Sequence, residues 1–205
     1  MINRRGVVLS GLALALAACT AGARPTASPT IPGDPATTCP TSPPPALPSG
    51  ETRTVKIETA KGTMVIKVEA DLGPLAAGNF VALAACGFYD GVVFHRLVPG
   101  FVIQGGDPTG TGRSGPGYQF ADDPVTVPYN RGVVAMANSG PNTNGSQFFI
   151  VLDDASELPP SYSVFGRVAD GMEVVDAIAA MPNSGGTANA ALDPVAMDRV
   201  TVSNP

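Results

Sequence analysis

The chain of 205 residues is 44% hydrophobic and 14% charged, and its formal net charge is −5 at pH 7. From Glu51 onward roughly 155 residues remain, which is enough for a single domain with a sizeable core. That part holds nine Lys and Arg against sixteen Asp and Glu, so it lacks the basic surface that neutralises phosphates, and a nucleic-acid partner is excluded.

The N-terminus has the features of an export signal. Two arginines within residues 1–5 precede an apolar stretch at residues 6–18, which is too short to span a bilayer comfortably. This stretch ends at Cys19 after Leu-Ala-Ala, which resembles a bacterial lipobox, where the cysteine carries lipid and becomes the first mature residue. We therefore expect a lipoprotein signal peptide at residues 1–18 and an extracytoplasmic protein held at the bacterial cell membrane by a lipid anchor alone. An ordinary secretory signal peptide that contains a cysteine is the alternative.

Residues 19–50 have the composition of a linker. Nine of the 21 prolines lie between Pro25 and Pro48, mixed with Thr, Ser and Ala, and such a segment forms an extended, semi-stiff tether. An arm packed on the domain is the alternative, because the segment contains Cys39. With Cys19 lipidated, Cys39 and Cys86 are the remaining thiols, and an exported compartment favours a disulfide between them. The sequence leaves open whether this bond forms.

The globular part, residues 51–205, contains more strand signals than helix signals. Alternating apolar residues predict a hairpin whose turn lies at residues 60–62. Buried strands are expected at five further places, namely residues 92–104, 133–137, 147–152, 163–168 and 198–203.

Two helices are predicted from apolar stripes and end signals. The first covers residues 75–86, with Gly87 placed to cap its C-terminus. The second covers residues 170–181, where Asp170 and Glu173 form a pair that resembles a capping box. Two helices among many strands are typical of a β-barrel with a helix over each open end.

Two longer motifs stand out from this background. Residues 94–107 read FHRLVPGFVIQGGD and place His95, the single His of the chain, beside Arg96 in an otherwise apolar run. A charged guanidinium in such a strand or strand pair is costly unless it faces a cavity or a partner. Residues 136–150 read MANSGPNTNGSQFFI, a turn-rich loop that delivers Gln147 and two Phe residues into another apolar strand.

These two motifs resemble the cyclophilin family of peptidyl-prolyl cis–trans isomerases. Shorter pieces that agree lie before them, around residues 87–91, and after them, at residues 163–168. The resemblance covers roughly residues 52–205 of the chain and leaves the N-terminal segment out. It implies a mainly β fold, a closed eight-stranded antiparallel β-barrel capped by two α-helices.

The reaction that the resemblance implies needs few catalytic groups. Rotation about an Xaa-Pro bond is opposed by amide resonance, with a barrier of about 18–20 kcal/mol. A catalyst has to hold the prolyl ring in an apolar pocket and stabilise a twisted amide whose nitrogen has regained its lone pair, which a fixed guanidinium can do. We therefore expect no cofactor, and one His among scattered carboxylates gives no support for a metal site.

The roles of individual residues follow from the resemblance. It makes Arg96 the catalytic residue and Gln104 the residue that holds it in place. The proline pocket would be lined by Phe101, Val102, Phe149 and Leu158, while Asn138, through its backbone, and Gln147 would hydrogen-bond the peptide. The full set of expected substrate-binding residues is His95, Phe101, Val102, Gln104, Ala137, Asn138, Gln147, Phe149, Leu158 and Tyr162.

Some positions are left open or depart from the family. His95 could belong to the site or be a structural histidine, since the mechanism moves no proton. The chain has no Trp, and Glu157 falls about where relatives that bind cyclosporin tightly have one. Tyr162 matches a His of many animal relatives, and Val102 stands where many relatives have Met. These changes bear on inhibitor affinity and sequence preference more than on the chemistry of Arg96.

The expected function is that of an isomerase acting on Xaa-Pro segments of exported polypeptides, as a monomer. The alternative is a non-catalytic module on the same fold that binds proline-containing peptides. The intact set of Arg96, Phe101, Gln104 and Phe149 favours the enzyme. A third hypothesis is a lipid-anchored solute-binding protein. The chain is too short for the two lobes that such a protein needs, which disfavours this hypothesis.

Overall fold

The computed structural model describes residues 38–204, and all structural statements below refer to them. The predicted signal peptide, Cys19 and most of the linker lie outside the described residues. Within residues 38–204, no helix is long and apolar enough to cross a membrane.

Nine strands and two helices make up this part of the chain. The strands are β1 (Thr52–Thr59), β2 (Gly62–Glu69), β3 (Val93–Val98), β4 (Val102–Asp107), β5 (Val133–Met136), β6 (Phe148–Val151), β7 (Val164–Asp170), β8 (Ala190–Ala196) and β9 (Arg199–Ser203). The helices are α1 (Pro74–Ala85) and α2 (Met172–Ala179).

The strands form one antiparallel sheet in the order β8-β3-β4-β6-β5-β7-β2-β1-β9. The mainly β class with two helices is thus confirmed, whereas the closed eight-stranded barrel is not, because this sheet is an open half-barrel of nine strands. Its two edge strands, β8 and β9, follow each other in the chain with only Met197 and Asp198 between them. Three peptide units span at most about 11 Å, so the covalent chain, and not a strand ladder, links the two edges.

The strand that the sequence did not predict is β8. Its residues include Asp193 and Pro194, which are depleted in strands, and Leu192 is 65% exposed. Proline is tolerated at a sheet edge because no partner there needs its missing N–H. The expected strand at residues 92–104 is a pair, β3 and β4, which the turn around Gly100 separates.

Helix α1 ends as predicted and begins with help from a distant residue. At its C-terminus Gly87 has φ +79°, and the N–H groups of Gly87 and Phe88 donate to the carbonyls of Ala84 (3.2 Å) and Leu83 (3.0 Å). This is a Schellman motif. At the N-terminus the Asp123 carboxylate accepts the N–H groups of Leu75 (3.1 Å) and Ala76 (2.8 Å), a cap that local sequence could not reveal.

The capping box predicted for α2 is wrong. Strand β7 continues to Asp170, and Gly171 is the N-terminal cap with φ +84° and no side-chain cap. A Cβ on Gly171 would lie 2.4 Å from the Thr63 carbonyl, so only glycine fits this tight passage from strand to helix. The Asp170 side chain accepts the N–H of Gly171 and does not reach into the first turn.

Residues 38–50, which the sequence places in the linker, lie against α1. Cys39 and Cys86 form a disulfide. Leu47 is buried, and its N–H donates to the Pro74 carbonyl over 2.9 Å. Helix α1 makes room for this arm at Gly78, where a Cβ would lie 2.2 Å from the Pro45 carbonyl oxygen. The alternative of an arm packed on the domain therefore describes this part of the segment.

Candidate active site

The site is built on a row of residues that crosses the middle of the sheet. Arg96 on β3 pairs directly with Gln104 on β4, and Gln104 pairs with Phe149 on β6. Residues directly opposite each other on neighbouring strands project to the same face. This face points away from the main hydrophobic core. Phe148, the residue before Phe149, belongs to that core, whereas Phe149 is buried in a separate, smaller apolar cluster.

A pocket of about 270 Å³ opens on this face. Its floor is apolar and buried at Val102 and Phe149. Nine of the residues expected at the site line it, namely Arg96, Phe101, Val102, Gln104, Ala137, Asn138, Phe149, Leu158 and Tyr162. We call it the proline pocket.

One wall of the proline pocket is held by Tyr129, a residue that the sequence did not indicate. The Tyr129 hydroxyl donates to the Tyr162 carbonyl over 3.0 Å and accepts the Tyr162 N–H over 2.9 Å. The Tyr162 ring then meets Phe149 edge to face, with centroids 5.5 Å apart. Mutual hydrogen bonds and aromatic packing fix this wall before any ligand arrives.

Arg96 keeps its charge available at the rim of the pocket. Among residues 38–204, the one hydrogen bond of its guanidinium is from Nη1 to Oε1 of Gln104, at 3.3 Å. None of the ion pairs in this part of the chain involves it. A guanidinium held by a neutral amide retains its full charge and most of its N–H donors for a ligand.

A second pocket, of about 590 Å³, adjoins the first and is lined mainly by polar groups and by the loop at residues 112–119. Gln104, Ala137 and Asn138 line both pockets. Gln147 lies here and not in the proline pocket. The Asn138 side chain donates to the Ser161 carbonyl over 2.8 Å, while its backbone N–H and C=O make no hydrogen bond within the described residues.

His95 lines neither pocket. It is 9% exposed, and neither of its ring nitrogens has a hydrogen-bond partner in the described part of the chain. Burial lowers the pKa of His95 from its usual value, and the nearby Asp107 carboxylate offsets this in part. The imidazole is therefore neutral around pH 7, and its placement favours the structural interpretation that the sequence left open.

Asp107 ends the first motif, and the sequence indicated no role for it. This carboxylate is fully buried and accepts hydrogen bonds from the loop that follows it, including the backbone N–H groups of Thr109 (2.7 Å) and Arg113 (2.9 Å). Burial alone would raise the pKa of Asp107, but these bonds outweigh burial and hold the pKa far below its usual range. An Asp followed by Pro-Thr-Gly-Thr-Gly is a turn signal that could have revealed this role.

The chain matches one protein family over most of the described region. The family model described as cyclophilin type peptidyl-prolyl cis-trans isomerase/CLD matches residues 54–202. Peptidyl-prolyl cis-trans isomerase-like 1 of Rhizopus delemar is 48% identical over 130 residues, which is 61% of this chain and 79% of that protein. Peptidyl-prolyl cis-trans isomerase A of Mycobacterium tuberculosis is 41% identical over 174 residues, 74% of this chain and 93% of that protein.

Solved structures agree with the sequence relatives. The crystal structure of a Cryptosporidium parvum cyclophilin type peptidyl-prolyl cis-trans isomerase superimposes with a TM-score of 0.69 at 36% identity, covering 75% of this chain and 99% of that one. A second structure of that protein, in the presence of the dipeptide ala-pro, gives a TM-score of 0.68. The fold and the site thus define an enzyme of the isomerase class. The chain belongs to the cyclophilin family of peptidyl-prolyl cis-trans isomerases.

Within residues 38–204 no group of three or more His, Cys, Asp or Glu side chains is placed to hold a metal ion. The polar groups that face the proline pocket are instead a guanidinium, two amides and a phenol. Such a set can orient an amide and respond to charge that develops on it, which is what rotation about a peptide bond requires.

Proposed function

We propose that this protein accelerates cis–trans rotation about Xaa-Pro bonds of exported polypeptides, with Arg96 stabilising the twisted amide. The prolyl ring enters the proline pocket and packs on Phe149 and Val102. The observation that carries the proposal is the combination of an unneutralised guanidinium with an apolar, largely buried pocket floor beside it.

The mechanism follows from how the amide changes as it twists. A planar amide nitrogen has no available lone pair, whereas a nitrogen twisted by 90° does. A donor aimed at that nitrogen gains little in the ground state and much at the top of the barrier, which is the condition for raising kcat. Because the pocket excludes part of the water, the interaction is stronger than it would be in bulk solvent.

The flanking peptide is bound in an extended form across the two pockets. The unpartnered backbone N–H and C=O of Asn138 are available to pair with the peptide main chain, and Gln147 offers an amide from the adjoining pocket. Such contacts hold the chain on one side of the proline while the other side rotates. No cofactor takes part, and the enzyme acts as a monomer.

Cellular location forms the second half of the proposal. The lipobox-like residues before Cys19 support a lipid anchor, which would place the domain outside the cytoplasm of a bacterium. The disulfide between Cys39 and Cys86 supports the same compartment, because structural disulfides persist where the environment is oxidising. Clients would then be polypeptides that fold after export.

Two experiments test the two halves separately. A prolyl isomerisation assay on the purified protein should show turnover that Arg96→Lys largely abolishes, because an ammonium lacks the planar fork that Gln104 holds. Binding of a proline peptide without turnover would favour the non-catalytic module instead. For the anchor, mass spectrometry of the mature N-terminus should find lipid on Cys19. An unmodified N-terminus at another residue would remove the anchor and leave the chemistry standing.

A further inference from the structure

We propose that Asp107 is a positioning residue for the reaction, acting on Arg96 through a relay of hydrogen bonds that includes two glutamines. The inference rests on the proposed role of Arg96 and extends it to residues outside the proline pocket. The relay runs from Asp107 through Ser114, Gln147 and Gln104 to Arg96.

The relay begins at the loop of residues 108–117, which has no regular secondary structure. Gly110, Gly112 and Gly117 all have positive φ there, so the loop has little intrinsic stiffness. Asp107 supplies that stiffness, because its buried carboxylate gathers donors from across the loop. They are Thr109 N–H at 2.7 Å, Thr109 Oγ1 at 2.8 Å, Thr111 Oγ1 at 3.2 Å, Arg113 N–H at 2.9 Å and Ser114 N–H at 3.2 Å.

The backbone of Ser114 connects this loop to the site, through the N–H on one side of its Cα and the carbonyl on the other. Its N–H points at Asp107, and its carbonyl accepts Nε2 of Gln147 over 2.9 Å. Oε1 of Gln147 then accepts Nε2 of Gln104 over 3.0 Å, and Oε1 of Gln104 accepts Nη1 of Arg96 over 3.3 Å. Each link is within hydrogen-bonding range. Every member of the relay except Asp107 lines one of the two pockets.

The direction of the relay is fixed by its two ends. A carbonyl can only accept and a guanidinium can only donate, while each glutamine amide has one end of each kind. With the Ser114 carbonyl at one end, both amides must turn their oxygens towards Arg96. If the loop moved and the carbonyl were lost, Gln147 would lose the acceptor that fixes its amide, and Gln104 would then lose the acceptor that holds it beside the guanidinium.

The test is a double-mutant cycle on kcat, measured with the full purified chain and a single Xaa-Pro peptide. Asp107→Asn should lower kcat about tenfold with a much smaller change in KM, because displacing a catalytic group lowers the rate of the chemical step more than it weakens substrate binding. In the Arg96→Ala background the same change should have almost no further effect. Losses of equal size in both backgrounds would overturn the relay, because they would mean that Asp107 acts on the structure in general.

Asp123→Asn is the matched control. Asp123 is also a buried carboxylate that accepts two backbone N–H groups, those of Leu75 and Ala76, but it lies outside the relay. Its replacement should lower stability and leave kcat unchanged. In NMR spectra, the side-chain amide signals of Gln104 and Gln147 should move in Asp107→Asn and stay in place in Asp123→Asn.

A milder pair of variants covers the case in which Asp107→Asn does not fold. Thr109 is exposed, and Thr109→Val removes one donor to Asp107, so kcat should fall by roughly threefold, whereas Thr109→Ser keeps the hydroxyl and should restore it. Unchanged kcat in Thr109→Val and in any folded Asp107→Asn, with Arg96→Ala impaired, would refute the relay alone. Unchanged kcat in Arg96→Ala would instead refute the proposed function.

Discussion

Phe148 and Phe149 are neighbours on β6, yet their rings lie on opposite faces of the sheet. Phe148 is 0% exposed, and its ring centroid lies 5.2 Å from that of Phe80 in the core. Phe149 packs on Tyr162 in the wall of the proline pocket. Because the strand that carries the pocket floor is locked into the core on its other face, the pocket is formed before substrate binds, and its chemistry can depend on small displacements of Arg96.

Loss of the disulfide should destabilise the domain without stopping catalysis. The bond between Cys39 and Cys86 closes a loop with a sequence separation of 47, which in the chain-entropy model contributes about 4 kcal/mol. We expect Cys39→Ser to lower the free energy of unfolding by about this amount. Urea unfolding of the variant and of the oxidised protein measures the difference.

The reduced native protein is the control for that measurement. If the disulfide acts through chain entropy, reduction and Cys39→Ser should cost the same, and kcat should be unchanged in both. A change below about 1 kcal/mol in both would show that the arm at residues 38–50 holds to α1 without the bond.

The effect of Gly78→Ala on stability tests whether the arm at residues 38–50 packs on α1. Higher helix propensity would stabilise the variant, whereas a clash with the arm would destabilise it. In an exposed helix interior, replacing Gly with Ala stabilises by about 1 kcal/mol. Here the added Cβ would lie 2.2 Å from the Pro45 carbonyl oxygen and 2.9 Å from the Leu47 nitrogen, so Gly78→Ala should destabilise the oxidised protein. In the Cys39→Ser background the arm can move away, and the penalty should shrink or reverse. A stabilising effect in the oxidised protein would mean that the arm does not pack on α1.

His95 predicts a dependence of stability on pH in a defined window. Its pKa in the folded state is lowered from 6.5, mainly by burial, so the unfolded chain takes up a proton first. The contribution of His95 to stability is therefore fully present above its ordinary pKa of 6.5. It is lost as the pH falls from there towards the lowered pKa of the folded protein. Urea midpoints measured from pH 7.5 down to pH 5 should fall for the native protein and much less for His95→Gln.

Activity should not follow the same curve. His95 lines neither pocket and the proposed mechanism transfers no proton, so kcat should stay nearly flat across the range in which the imidazole titrates, as long as the protein remains folded. A bell-shaped or sigmoidal profile centred there, which His95→Gln abolishes, would place His95 in the chemistry after all.

The sequence-based prediction was right for elements whose structure depends on residues close to each other in the chain. The hairpin of β1 and β2 and the end of α1 at Gly87 follow from strand alternation and from the conformational freedom of glycine. The resemblance to a family then supplied the candidates that line the proline pocket, which neither periodicity nor composition could have brought together.

The features that the sequence missed depend on contacts between distant residues. Asp123 caps α1 at Ala76, which is 47 positions away in the chain. Tyr129 hydrogen-bonds the backbone of Tyr162 in the wall of the proline pocket. Strand β8 forms from residues with poor strand propensity because the edge of β3 offers partners. The capping box at Asp170 failed because β7 runs on until Gly171 redirects the chain. In each case tertiary contacts override the local preference.

The central claim is that Arg96 stabilises the twisted amide, and one measurement addresses it directly. NMR can follow exchange between the cis and trans forms of a single Xaa-Pro bond in a peptide that saturates the enzyme, first with the native protein and then with Arg96→Ala. We expect the exchange rate at saturation to fall on the order of a hundredfold in the variant, as when a preorganised donor is removed, with peptide affinity little changed. Equal exchange rates in the two proteins would contradict the claim and leave the proline pocket as a binding site alone.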